Sequence, residues 1–235
     1  MDDFRQLVAR FEPQGLGPEG PGWQQRKSSQ TRVGILEAAI DCLAKHGYAR
    51  TTTQLIAETA GISRGAMLHH YATKAELIEA IIAYSFYKRM ESLANGVRNI
   101  SERQRVQEFA GLEILWESFL TREYKAYVEL NIASRTDAEV REIFIPQARR
   151  FTQAWRDEGI RVFPEWSAHP ARLAHASDLA EAVMEGLALN AETWNTPEQV
   201  ARIRAFLRRM VGMIFSGQLV FSEPARAEDT ALAPV

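Results

Sequence analysis

The chain has 235 residues, 46% of them hydrophobic, and a formal charge of −2. That is enough apolar material for a real core, which excludes a disordered chain, and the charge gives no global signal for nucleic acid. The single cysteine, Cys42, excludes an intrachain disulfide and a cysteine-cluster zinc site; no apolar run approaches a membrane span and no leader pattern opens the chain, so a reduced, cytoplasmic protein without membrane contact is expected.

Phe11 to Gly22 holds Pro13, Pro18 and Pro21 among four glycines, a composition that cannot hold a helix. Residues 1–27 are expected to be a flexible arm. Cations crowd the stretch that follows: between Gln24 and Ala75 seven Lys and Arg outnumber three acidic residues by four. Such asymmetry suits an N-terminal module that meets phosphates.

From there nearly everything has helical period. Val33, Leu36, Ile40 and Leu43 recur at three- and four-residue steps, and Gly47 stands where a helix C-terminal glycine would. Thr53 to His70 has the spacing of two helices joined by a tight turn. Ile56 and Ala60 face inward from the first, Gly61 accepts the positive φ of the turn, and Ile62 plugs it. Ser63 caps the second helix and Met67 falls on its inner face, which leaves Arg64, Gly65, Ala66, Leu68, His69 and His70 facing outward. Leu77, Ile78, Ile81, Ile82 and Phe86 mark a long fourth helix. Phe109, Leu112, Trp116 and Leu120 mark another, and Tyr124, Tyr127 and Val128 a shorter one. Val140, Ile143, Phe144, Phe151 and Trp155 mark a helix that Pro146 is expected to kink or divide. Leu173 to Ala191 form the penultimate helix, and Pro197 opens the last one behind a Thr196 cap. No alternating β-branched run suggests a strand.

The expected fold is all-α. The spacing predicts a helix-turn-helix over 28–75, a larger helical region over 76–222 and a flexible tail over 223–235. The outward helix is the one that enters a major groove. Arg64 is long enough to fork onto guanine O6 and N7. Thr53 offers a hydroxyl and a helix N-terminal N–H to phosphate, and Lys74 supplies a charge.

The stretch Arg32…Ile35-Leu36…Ala38-Ala39…Leu43…His46-Gly47-Tyr48…Thr51-Thr52-Thr53…Ile56-Ala57…Ala60-Gly61-Ile62-Ser63-Arg64-Gly65…His69-His70-Tyr71…Lys74…Leu77 resembles the tetracycline-repressor (TetR) family. The resemblance covers about a fifth of the chain. It implies a homodimeric, ligand-responsive regulator of transcription, a repressor by family habit, without enzymatic activity or cofactor. Carried over by position, Thr53, Gln54, Arg64, Gly65, Ala66, Leu68, His69, His70 and Lys74 are the expected contacts to double-stranded operator DNA. Leu68 stands where the family commonly has a tyrosine, so an apolar contact replaces that one or it is lost.

Gly61-Ile62-Ser63-Arg64-Gly65 also matches the G-x-S-x-G nucleophile elbow of serine hydrolases. That motif needs a strand before the serine, and the residues there read as helix. His69 and His70 are adjacent, which points them about 100° apart on a helix, so metal binding is not expected. A helical interaction module that keeps the motif without using DNA is the other alternative. In the C-terminal region, Glu113, Trp116, Tyr127, Asn131, Arg135 and Trp155 are the expected contacts to an unknown small-molecule effector, because they place polar or aromatic groups on apolar stripes. The last two helices are expected to make the dimer through Ala180, Val183, Leu187, Phe206, Met210, Val211 and Ile214.

Overall fold

The computed structural model describes residues 8–9, 12–13, 16, 23–193 and 196–219. Most of the expected arm, Trp194 and the whole expected tail lie outside them. Among the described residues the regular structure is helical: α1 (Trp23–His46), α2 (Thr53–Thr59), α3 (Arg64–His70), α4 (Lys74–Arg98), α5 (Glu102–Glu108), α6 (Gly111–Phe119), α7 (Arg122–Ser134), α8 (Ala138–Val162), α9 (Pro170–Leu189) and α10 (Pro197–Ser216). Single 3-10 turns lie at Tyr48–Arg50 and Pro164–Trp166.

The helices start where side chains satisfy their first N–H groups. Thr52, Ser63, Thr73, Thr121, Asp137 and Thr196 each accept the backbone N–H three residues on. Helix α1 starts ahead of the expected domain boundary at residue 28, and its first turn carries a local support: the Lys27 ammonium lies 5.1 Å from the Trp23 ring centre, one turn along.

Of the kink or division expected at Pro146, division does not occur, and at Phe109 the expectation fails. Pro146 does not divide α8, which runs unbroken as α-helix through it. A proline inside a helix costs about 3 kcal/mol. Val140 and Phe144 on the same helix are 0% and 1% exposed, and burying two such side chains returns about 1.5–3 kcal/mol each. Phe109 is not on the helix of Leu112 and Trp116. It sits in the left-handed region at φ 48°, between α5 and α6, where its N–H and that of Ala110 both reach the Gln104 carbonyl.

The described chain divides into two compact units, one ending at Glu165 and the other beginning at Trp166. In the first unit one core joins the two halves: Ile35, Leu36, Ala39 and Ile40 of α1, Ile56 of α2, Met67 of α3, Ile78 and Ile82 of α4, Ala126 and Leu130 of α7, and Val140 and Phe144 of α8 are all buried together. A smaller cluster gathers Met90, Val97 and Val162. In the second unit α9 packs on α10. Leu173, Ala176, Ala180, Met184 and Leu187 are buried on the first of these helices, and Leu207, Val211 and Ile214 on the second.

Candidate DNA-binding surface

Helix α3 is short and held from both ends. Ser63 Oγ accepts the Ala66 N–H at 3.1 Å, and the Tyr71 N–H donates to the Met67 carbonyl. Gly61 makes the turn from α2 at φ 68°, a conformation that costs other residues about 1–2 kcal/mol. Met67 is the one α3 residue that is fully buried, at 0% exposed. With that side chain inward, Arg64, Gly65, Ala66, Leu68 and His69 all stand exposed and His70 half-buried. The sequence reading of this helix is the arrangement found.

The neighbouring helix ends complete the face. Gln54 is exposed and Thr53 half-buried in the first turn of α2; the Gln54 amide donates to Glu58 one turn on, at 2.6 Å. The residue that caps α2 is Thr52, whose hydroxyl accepts the Leu55 N–H at 3.1 Å. Lys74 opens α4 and is exposed. Its Nζ donates to the Tyr48 hydroxyl oxygen at 3.0 Å and lies 5.0 Å from that ring's centre. The Tyr48 hydroxyl donates in turn to Asp137 Oδ2 at 3.1 Å.

The charges on this face respond to these contacts. The Tyr48 hydrogen bond, with the carboxylates of Asp137 and Glu139 nearby, holds the Lys74 ammonium above its ordinary range, so it stays protonated. Burial, reinforced by the Arg32 and His69 charges, pushes the His70 imidazole below its usual 6.5, so it is neutral at pH 7. The Val140 N–H, followed by the Tyr48 hydroxyl, holds Asp137 below the usual carboxylate range. Among the described residues no group of His, Cys, Asp and Glu is placed to hold a metal ion.

Residues 35–81 match the model of the family described as bacterial regulatory proteins, tetR family. Over this segment the chain is similar to that family. It is 29% identical over 120 residues to an uncharacterized HTH-type transcriptional regulator of Mycobacterium tuberculosis, a match covering 51% of this chain and 60% of that one. The HTH-type transcriptional repressor AcnR of Corynebacterium efficiens is 28% identical over 193 residues, 78% of this chain and 95% of that one. The chain thus spans about 60% of the length of the mycobacterial relative and nearly all of AcnR. A TetR-family regulator from Rhodococcus sp. shares the fold with a TM-score of 0.59 at 20% identity, over 80% of this chain and 99% of that one.

Outside the tetR segment the expected site residues are less well gathered. Tyr127 and Asn131 share a half-buried row on α7, and Glu113 on α6 is half-buried as well. Trp116 is buried. Trp155 packs against the smaller cluster, whereas Tyr127 packs against the larger core. Arg135 is exposed beyond the end of α7, so it does not continue the interior row as expected. The charged group that does enter the aromatic interior is Arg89 of α4. Its guanidinium carbon lies 5.0 Å from the Tyr124 ring, 5.2 Å from Tyr127, 5.9 Å from Phe119 and 6.0 Å from Phe151. An arginine between Lys88 and Met90 in a helix gives no sign in sequence that four rings from three other helices will surround it.

In the second unit, Ala180 and Leu187 of α9 and Val211 and Ile214 of α10 are buried within the chain itself. Phe206 is 63% exposed, and Val183 and Met210 are half-buried. Sequence reasoning also passed over a clamp in the first unit. Arg122, at the start of α7, reaches both Glu37 and Asp41 on α1, the latter at 2.5 Å, and the Tyr84 hydroxyl donates to Glu37. Those residues lie more than 40 positions apart in the chain, beyond any local pattern.

Proposed function

We propose that the chain is a sequence-specific DNA-binding regulator of transcription that acts as a homodimer and responds to a small molecule. The observation that carries this reading is the outer face of α3: Arg64, Gly65, Ala66, Leu68 and His69 exposed together on a helix whose inner face is fixed by Met67, with the exposed Lys74 at the next helix start. Arg64 reads a base edge, Thr53 and Lys74 take phosphates, and Gln54 and His69 border them. Repression, the role that AcnR is named for, is the expected direction of control.

The chain is not an enzyme in this reading. Ser63 follows a helix and a turn, and its oxygen is engaged as a cap by the Ala66 N–H, which is the arrangement of a helix start rather than of a nucleophile. The effector would enter among α4, α6 and α7, where Tyr127 and Asn131 are half-buried near the rings around Arg89. Dimer contacts fall to the uncovered residues of α9 and α10, Phe206 first, with Val183 and Met210 beside it. A mobility-shift titration with the DNA upstream of the chain's own gene tests the core of the proposal. A shift that survives excess random competitor supports it; equal affinity for the two DNAs removes sequence-specific regulation of that gene.

A further inference from the structure

Lys74 is not a free surface lysine. Its ammonium, the Tyr48 hydroxyl and the Asp137 carboxylate form one hydrogen-bonded chain, at 3.0 and 3.1 Å, across three separate parts of the sequence. Tyr48 is itself fixed: its backbone N–H donates to Glu129 Oε2 at 3.1 Å, and the same carboxylate oxygen lies 3.0 Å from where a Cβ on Gly47 would stand. Asp137 is fixed too, because its second oxygen, Oδ1, accepts the Val140 N–H as the cap of α8, at 3.2 Å. The two oxygens of one carboxylate thus do two jobs, starting a helix and orienting a phenol.

We infer that Tyr48 is a positioning residue for DNA: its hydroxyl, oriented by Asp137, presents the Lys74 ammonium to a phosphate. This rests on the reading of Lys74 as a phosphate contact given above. An ammonium has three N–H donors, and Tyr48 takes one, leaving two for a phosphate in a fixed direction. The hydroxyl also stands between Lys74 and Asp137 and keeps the lysine from folding down into a direct ion pair that would remove it from the DNA face. The tie runs to the first turn of α8, whose Phe144 is in the core and whose Phe151 lies against Phe86 of α4, with ring centres 4.1 Å apart. A shift of α8 therefore moves Asp137, and Asp137 moves the lysine. That gives the helical half a route to DNA affinity that does not require α3 itself to change.

The test uses the full chain and fluorescence anisotropy with two duplexes, the chain's own upstream DNA and one of random sequence, over a range of salt. Tyr48→Phe keeps the ring and removes only the hydroxyl. It should weaken binding to both duplexes about three- to tenfold, the scale of one hydrogen bond, without lowering the melting temperature. Asp137→Asn keeps a capping oxygen but has only one, so it can cap Val140 or accept from Tyr48, not both; the same uniform weakening is expected. In a Lys74→Ala background both changes should lose their effect. A Tyr48→Phe chain that binds as the wild type does, or that loses the same factor when Lys74 is already alanine, overturns the inference while DNA binding by α3 stands. A wild-type chain that binds neither duplex at low salt overturns the DNA-binding reading, and this one with it.

Discussion

A Cβ added at Gly65 would meet nothing nearer than Ser63 Oγ at 3.9 Å, so packing inside the chain does not call for glycine there. Glycine in a helix costs about 0.5–1 kcal/mol relative to alanine. Gly65→Ala should therefore raise stability by roughly that amount in urea denaturation and weaken DNA binding, because the close approach it serves is to a backbone outside the chain. Its neighbours should separate two kinds of contact. Arg64→Ala should cost about 1–3 kcal/mol on the preferred sequence and relax the preference at one base position. Lys74→Ala should weaken all sequences alike and lower the salt slope by about one. Equal losses on preferred and random DNA for Arg64→Ala would remove direct base reading by that side chain. His70 adds a pH dependence. Its folded-state pKa lies below 6.5, so protonation favours the unfolded chain and its contribution to stability, present above 6.5, falls away as pH drops. A phosphate favours the charged form, so DNA affinity should rise between about pH 7.5 and pH 6, and His70→Gln should flatten that rise. Residues of this kind were legible in sequence because a seven-residue helix with one inward position leaves the rest facing out. The Tyr48 chain was not, because its members lie 26 and 89 positions apart and no local period connects them.

At the scale of the helices, capping is the feature that sequence carries best and that a single change tests most cleanly. Ser63→Ala removes the bond to the Ala66 N–H and should destabilise the chain by about 0.5–2 kcal/mol, read as a lower midpoint in urea with an unchanged slope. A serine-directed covalent inhibitor that labels Ser63 in the folded chain would contradict this role. Apolar spacing placed the long helices and named Met67, Ile78, Ile82 and Phe144 as inward residues. It failed at Phe109, a residue other than glycine that takes the left-handed backbone between α5 and α6 and so leaves the helix of Leu112 and Trp116. At Pro146, where a kink or a division is expected, the helix is not divided, because the burial of Val140 and Phe144 offsets a strong local breaker.

At the scale of the whole molecule, the division into units follows contacts rather than roles. Helices α2 and α3 share their core with α4, α7 and α8, so a change felt in the helical half is felt at α3 through packed side chains. The second unit's exposed Phe206 has no such use inside the chain. Phe206→Asp and Met210→Asp should give monomers by sedimentation and abolish tight DNA binding, whereas Val211→Asp and Ile214→Asp, placed at buried positions, should unfold the subunit instead. Chains that stay dimeric at low micromolar concentration with both Phe206 and Met210 changed would move the interface elsewhere. The most direct test of the whole account is selection from a random duplex library with the full chain, followed by sequencing of what is retained. Two recognition helices related by a two-fold axis should enrich a palindromic sequence with half-sites about one DNA turn, ~34–36 Å, apart, or a multiple of it, and the Arg64→Ala chain should lose preference at one position in each half. Retained DNA with no enriched sequence, or an enriched site without two-fold symmetry, would contradict it.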